Sequence, residues 1–291
     1  MSAPRPTARA REGARPWDVA MVVPARDEVD LLPRCLASVV TAVDRVDTTG
    51  RVHILVVADR CVDDTEAAAA ATLACADASI VRARCANVGR ARQVGVDGAL
   101  RVWPHDRTRR LWIAMTDADS VVPPHWLAYQ LGAAAQGWHA VAGAVAVTDW
   151  GDRSSRTANA LGAHRRAQRR SGTLAVHGAN LGVRADALAA VGGVPAVAHS
   201  EDAGTVELLE RAGRPVLRTL DLVVGTSARR SRRAPGGFSS LLDRLGASPC
   251  PSDPHERLDH DVLLDVPQYT PQPRVVPQHV VDLVTEQHVV A

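Results

Sequence analysis

Apolar and polar positions along this chain fall into two alternating habits. Asp18–Pro24, Val52–Ala58 and Leu111–Thr116 are nearly continuous apolar runs, and Ser79–Arg84 is a shorter, more polar one. Runs of this kind read as strands of a sheet covered on both faces. Between them the period changes. Leu31, Leu32, Cys35, Leu36, Val39, Val40 and Val43 recur at helical spacing after Asp30, a plausible cap. Asp63 and Glu66 have capping-box spacing before an alanine-rich stretch, and Asn87 opens a third helical segment. Four strands alternating with three helices predict an α/β fold with a mostly parallel sheet and right-handed crossovers.

Beyond Asp119 the pattern loosens. Pro123 and Pro124 start a helix from His125 to Gln136 that Gly137 closes. Ala140–Val147 reads as a strand, Asp152–Gly172 as a basic polar helix, Val176–Val183 as a strand pair and Arg184–Val191 as a short helix. Ser200, Glu201 and Asp202 cap a helix running to Ala212, and Pro215–Thr219 and Leu222–Ser227 read as two further extended segments. The Arg- and Pro-rich start, residues 1–16, reads as a disordered leader, and residues 246–291 as a poorly ordered tail. One domain over residues 17–245 remains.

Composition narrows the class. At 46% hydrophobic over 291 residues the chain can bury a large core, and a net charge of +2 is far from the basic balance of a nucleic-acid binder. Nucleic acid is therefore excluded as the expected partner. All 34 basic residues are Arg, so any phosphate must be held by guanidinium groups. Five cysteines without a CxxC pair suggest neither a disulfide framework nor a zinc site, which fits a reducing cytoplasm. No apolar run approaches the roughly 20 residues of a transmembrane segment, so the expected place is cytoplasmic, with contact to the inner membrane surface only from outside.

Candidate chemistry lies at one edge of the predicted sheet. Pro24, Ala25, Arg26 and Glu28 follow the first strand, Asp59 the second, Asn87, Arg90 and Arg92 the third, and Asp117-Ala118-Asp119 the fourth. In a parallel sheet these loops share the carboxyl edge, where ligands bind. Two carboxylates two residues apart suit a hard divalent ion, Mg²⁺ or Mn²⁺, although the pair also fits a simple strand-closing turn.

With these blocks in order, the chain resembles the family 2 glycosyltransferases of the GT-A fold, in which a Rossmann-like sheet is followed by a mixed, acceptor-side half. The matching stretches are V-V-P-A-R-D-E, I-L-V-V-A-D-R-C-V-D-D-T, N-V-G-R-A-R-Q-V-G, T-D-A-D-S-V-V-P-P-H-W-L, H-G-A-N-L-G-V-R and S-E-D-A-G-T-V-E-L-L-E, spanning about Val19 to Leu245. The resemblance implies transfer of a hexosyl group from a UDP- or GDP-sugar to the hydroxyl of an unknown small-molecule, lipid or glycan acceptor. It implies that Pro24 to Glu28, Asp59, Asp117 and Ala118 meet the nucleoside, and that Asp119, with Asp117, holds the metal. Arg90 and Arg92 would assist the diphosphate. Asp202 would be the base of an inverting reaction, with Glu201 raising its pKa, and Gly178, Asn180 and Arg230 would line the sugar and acceptor. His177 is open between a metal or phosphate ligand and a structural role, and Trp150 between a sugar platform and core packing. The Arg229–Arg233 cluster and Arg165, Arg166, Arg169 and Arg170 are open between binding an anion and a solvated surface.

Some positions depart from the family. Where relatives usually carry two acids followed by Gly and Ser, this chain has Ala58-Asp59-Arg60-Cys61, which leaves uridine and guanosine both open. The Q-x-x-R-W signature of processive members is absent, implying a single transfer. Two alternatives remain: a retaining transferase of the glucosyl-phosphoglycerate synthase kind, and an inactive nucleotide-sugar-binding relative.

Overall fold

The computed structural model describes residues 16–46, 49–103, 105–170, 174–197, 200–229 and 237–247. The expected leader up to residue 15, the tail after residue 247, and Arg230 lie outside the described residues.

The strands are β1 (Trp17–Ala25), β2 (Thr49–Asp59), β3 (Ala78–Ala83), β4 (Leu111–Met115), β5 (Ser120–Val121), β6 (Ala140–Asp149), β7 (Leu181–Arg184) and β8 (Val216–Ser227). They form one sheet in the order β3-β2-β1-β4-β7-β6-β8-β5. β3, β2, β1 and β4 run parallel, as the alternating pattern requires, whereas β7 is antiparallel to both β4 and β6. The sheet is thus parallel in its first half and mixed in its second.

Side-chain alternation divides the core between two faces. Val19, Met21 and Val23 of β1 face α1 (Leu32–Asp44), α2 (Thr65–Thr72) and α4 (Trp126–Ala135). Ala20 and Val22 face α3 (Val88–Val102), α6 (Ala185–Ala190) and α7 (Glu201–Arg211). Both faces of β4 are covered, which is why its five residues are all apolar and all buried. Trp112 meets Trp17 edge-on at 6.0 Å and donates its indole N–H to Gln130 at 2.8 Å. Two further helices, α5 (Ser155–Arg170) and α8 (Phe238–Ala247), pack together around Leu161 and Leu242.

The structure revises several expectations. The proposed pair of strands at Val176–Val183 is an irregular approach followed by a 3₁₀ turn, Gly178–Asn180, and the single strand β7. The two segments read at Pro215–Thr219 and Leu222–Ser227 are one strand, β8. Its pairing with β6 jumps from Arg218 opposite Ala142 to Val223 opposite Ala144, so residues 219–222 bulge and break the apolar pattern. Asp30 does not cap α1; Leu31 occupies that position, and the Leu31 and Leu32 N–H groups donate to the Glu28 carbonyl at 3.2 and 2.9 Å. No capping box forms at α2 either, because Asp63 instead accepts from Thr65 N at 3.0 Å and Val29 N at 3.3 Å.

Asn180 fixes the bulge. Its amide donates to the Ala144 carbonyl at 2.8 Å and the Leu222 carbonyl at 2.9 Å, while its oxygen accepts the Trp126 indole N–H at 2.9 Å. Gly143 lies against this amide, and any Cβ there would collide with it. The side chain is completely buried. The expectation that it meets a sugar hydroxyl is therefore corrected: its bonds hold the sheet. Asn180→Ala would leave two carbonyls and an indole N–H unpaired in the core and should cost about 3 kcal/mol or more. Urea denaturation checks this, and a loss below about 1 kcal/mol would refute the tie.

Candidate functional site

Three strand ends of the parallel half are joined to one another by side-chain bonds to backbone. After β1, Asp27 accepts the Val62 N–H at 2.8 Å, and the Glu28 N–H donates to Thr65 Oγ1 at 2.7 Å. After β2, Asp59 Oδ1 accepts the N–H groups of Cys85 and Ala86 at 2.6 and 3.1 Å. Asp27, Arg60 and Ala86, one in each of the first three loops, have left-handed backbones with φ of 52°, 56° and 49°. Such conformations are costly away from glycine and persist where the surroundings dictate them. Asp27, Cys61 and Asp63 bring ligand atoms within 4.8 Å of one another. Their oxygens already accept N–H groups, so this group is a clamp between loops.

At the fourth strand end stands the acidic pair. Asp117 and Asp119 follow β4 in a turn closed by the Ser120 N–H donating to the Asp117 carbonyl at 3.0 Å. β5, too short to show a period in the sequence, then pairs Ser120 with Thr226 of β8. That pairing brings Arg229 to the pair: its guanidinium bonds Glu28 and lies 3.6 Å from Asp119 Oδ2. Burial first, then the Asp117 charge, pushes the Asp119 carboxyl up to about 6, with Arg229 opposing. Two hard carboxylates in one turn, one of them ionised only at a cost, are a donor set that fits Mg²⁺ or Mn²⁺.

Arg92 is the hub of the site. Only 3% exposed, it forms ion pairs with both Asp117 and Glu201. Gly178 lies against its guanidinium, where any Cβ would collide. Both terminal nitrogens are engaged by carboxylates, so Arg92, expected beside the diphosphate, serves here as a buried cross-link. Glu201 is corrected with it: the carboxylate is neutralised by Arg92 instead of adding charge beside Asp202. Asp202 itself is half-buried, with Oδ2 accepting the Gly178 N–H at 2.7 Å and Oδ1 the Ala203 N–H at 2.7 Å.

Other expected residues fall as follows. Pro24 and Ala25 belong to β1, paired to Val57 and Ala58, and offer a ligand mainly backbone. Arg26 is half-buried in the first loop, Arg90 is exposed at the start of α3, and Ala118 is buried between the two acids. Burial pushes His177 down, with Asp202 and Asp117 opposing and Arg165 reinforcing. Its ring meets Phe238 edge-on at 6.1 Å. Trp150, half-buried, packs on the small cluster around Leu161 and Leu242. Sequence reading missed the Asp119–Arg229 pairing, whose signal is the β5–β8 ladder joining positions more than 100 apart.

The family model described as "Glycosyltransferase like family 2" matches residues 16–236. The chain belongs to the family 2 glycosyltransferases. No curated protein sequence matches it. Among solved structures it is similar to a mannosyltransferase from Pyrobaculum calidifontis in complex with GDP-Man and Mn²⁺, at 19% identity and a TM-score of 0.54, covering 79% of this chain and 62% of that one. It is also similar to S. aureus TarS with UDP-GlcNAc, at 14% identity and a TM-score of 0.55, covering 79% and 65%. Glucosyl-3-phosphoglycerate synthase from Mycobacterium tuberculosis, with Mn²⁺ and UDP-Glc, matches at 19% identity and a TM-score of 0.50, covering 84% of each chain. The chain thus spans under two thirds of the first two relatives, and the likeness is one of fold. Its mixed eight-stranded sheet flanked by helices has the GT-A architecture. No described helix is long and apolar enough to cross a membrane.

Two stability measurements probe this candidate site. Arg92→Met leaves two carboxylates without their cation and should cost about 3 kcal/mol or more by urea denaturation. Adding Glu201→Gln should recover part of that loss, and equal losses in the single and double variants would remove Arg92 as the hub. Because a raised carboxyl pKa opposes folding above that pKa, Asp119→Asn in EDTA at pH 7.5 should melt above wild type, by an amount worth up to about 2 kcal/mol.

Proposed function

We propose that this enzyme transfers a hexosyl group from a UDP- or GDP-sugar to an acceptor hydroxyl in a single inverting displacement that depends on Mg²⁺ or Mn²⁺. The observation that carries the reading is the chain Asp119–Asp117–Arg92–Glu201, continued by the Asp202–Gly178 bond. It fastens a metal-suited acidic pair and a positioned carboxylate to one mouth.

The loops after β1, β2 and β3 hold the nucleoside, with Glu28 joined to Arg229 beside the acidic pair. Asp119, supported by Asp117, holds the divalent ion. When bound, that ion supplies charge neutralisation for the departing diphosphate. Arg229 exchanges Glu28 and Asp119 for diphosphate oxygens, a geometry that a guanidinium fork serves well, and Arg90 adds positive charge near the start of α3. The turn Gly178–Asn180 presents backbone to the sugar. Asp202, oriented by two N–H groups, accepts the proton of the acceptor hydroxyl as its oxygen bonds the anomeric carbon and the bond to the diphosphate breaks. A single transfer in the cytoplasm fits a chain without a membrane-crossing helix among its described residues.

Initial rates with UDP- and GDP-sugars, in the presence and absence of EDTA, test the reading. EDTA and Asp119→Asn should abolish metal-dependent nucleotide binding. Asp202→Asn should keep binding and lower turnover by about 10² to 10⁴. Wild-type turnover in both variants would overturn the assignment, and retained anomeric configuration in the product, read by NMR, would overturn inversion.

A further inference from the structure

A second polar group lies at the opposite edge of the sheet, where the parallel strands β2 and β3 begin. His53 of β2 is buried, and both of its ring nitrogens are engaged. Nδ1 is 2.6 Å from Asp77 Oδ1, and Nε2 is 2.9 Å from Ser79 Oγ of β3. Trp103 meets the ring edge-on at 6.3 Å. The exposed Arg51 donates from Nε to Asp77 Oδ2 at 2.7 Å and from Nη2 to Oδ1 at 3.3 Å. From Ser79 to the end of β3 at Ala83 the strand rises roughly 13 Å at about 3.3 Å per residue, which separates this group from the loops of the mouth.

The proton positions in this group follow from its members. Burial opposes ionisation of Asp77, but the bonds from Arg51 and His53 outweigh it and hold the carboxyl below its ordinary range. An ionised carboxylate can only accept. In the neutral ring Nδ1 therefore carries the proton, Nε2 accepts, and the Ser79 hydroxyl donates to it. Nucleophile, base and orienting acid stand in the order that activates a serine for acyl transfer, an arrangement recognised by geometry and role whatever the fold.

Register adds a backbone donor. The Ile54 N–H donates to the Asp77 carbonyl at 2.9 Å, and Ala78 lies opposite Ile54. Alternation then turns the Ser79 N–H toward β2 and the Ile80 N–H away from it. β3 ends the sheet among the described residues, so the Ile80 N–H faces no further strand. A donor one residue past a nucleophile is placed to bond the oxygen of an attacked carbonyl. Ser79 is half-buried and Asp77 exposed, so the group meets the surface while its base stays dry.

We propose that Ser79 is an acyl-accepting nucleophile, with His53 as its base and Asp77 as a positioning residue, acting on short carboxylic esters independently of sugar transfer. Oγ bonds the ester carbonyl carbon as its proton passes to His53 Nε2. The ring returns that proton to the departing alkoxide oxygen as the ester C–O bond breaks. Water then attacks the acyl-serine by the same route, releasing the carboxylic acid and restoring the Ser79 hydroxyl. Two probes test this on the full chain: a fluorophosphonate, with the labelled residue mapped by peptide mass, and hydrolysis of p-nitrophenyl acetate. Wild type should be labelled at Ser79, and Ser79→Ala should lose both label and hydrolysis. His53→Gln should slow labelling by about 10² to 10⁴. Asp77→Asn should slow it too, with Asp77→Glu restoring part. Urea denaturation shows which variants fold, and Ser79→Ala, which removes a single oxygen, decides if His53→Gln does not. An unlabelled Ser79 in wild type, hydrolysis unchanged in Ser79→Ala, or labelling as fast in a folded His53→Gln reduces the group to a tie between β2 and β3 and overturns the proposal.

Discussion

A single buried guanidinium holds this candidate site together. Arg92 reaches from α3, on one face of the sheet, to a carboxylate after β4 and another at the start of α7. With two acids and one base the cluster carries net negative charge in a place largely closed to water. Such an arrangement is tolerable only where the geometry is good, and removing one member costs far more than the net worth of the pair. Against a typical total stability of about 5 to 15 kcal/mol, that makes Arg92 a residue the fold can hardly lose. The bare Cα of Gly178 follows from the same contact, because a side chain there would push the guanidinium away from both partners.

The negative surplus explains the rest of the mouth. Asp119 adds another acid beside Asp117, and its carboxyl is correspondingly hard to ionise. Arg229 arrives from the far end of β8 to offset it. The acids of this centre are thus only partly matched from within.

The parallel half was legible in the sequence because its signals are local. Continuous apolar strands and 3.6-residue helices follow directly from burial on two faces, and β4 with Asp117 and Asp119 stands where the pattern puts it. The mixed half was not, since its determinants are contacts between distant positions. The bulge at residues 219–222 hides a single strand as two, β5 has only two residues, and Asn180 looks like a turn residue until Ala144, Leu222 and Trp126 are seen around it. Arg92 shows the same limit: near a helix start it reads as a phosphate contact, and only the fold reveals that Asp117 and Glu201 enclose it.

The left-handed residues Asp27, Arg60 and Ala86 carry a lesson for anyone wishing to re-engineer these loops. None is glycine, so none of the three loops would adopt its shape as an isolated peptide. Each is moulded by its neighbours, through Asp27 on Val62, Arg60 on Ala83 and Asp59 on Ala86. A loop transplanted singly from another enzyme would relax to its own preference and drag the adjoining ones with it. Exchange would have to proceed as a block, with the three rims moved together.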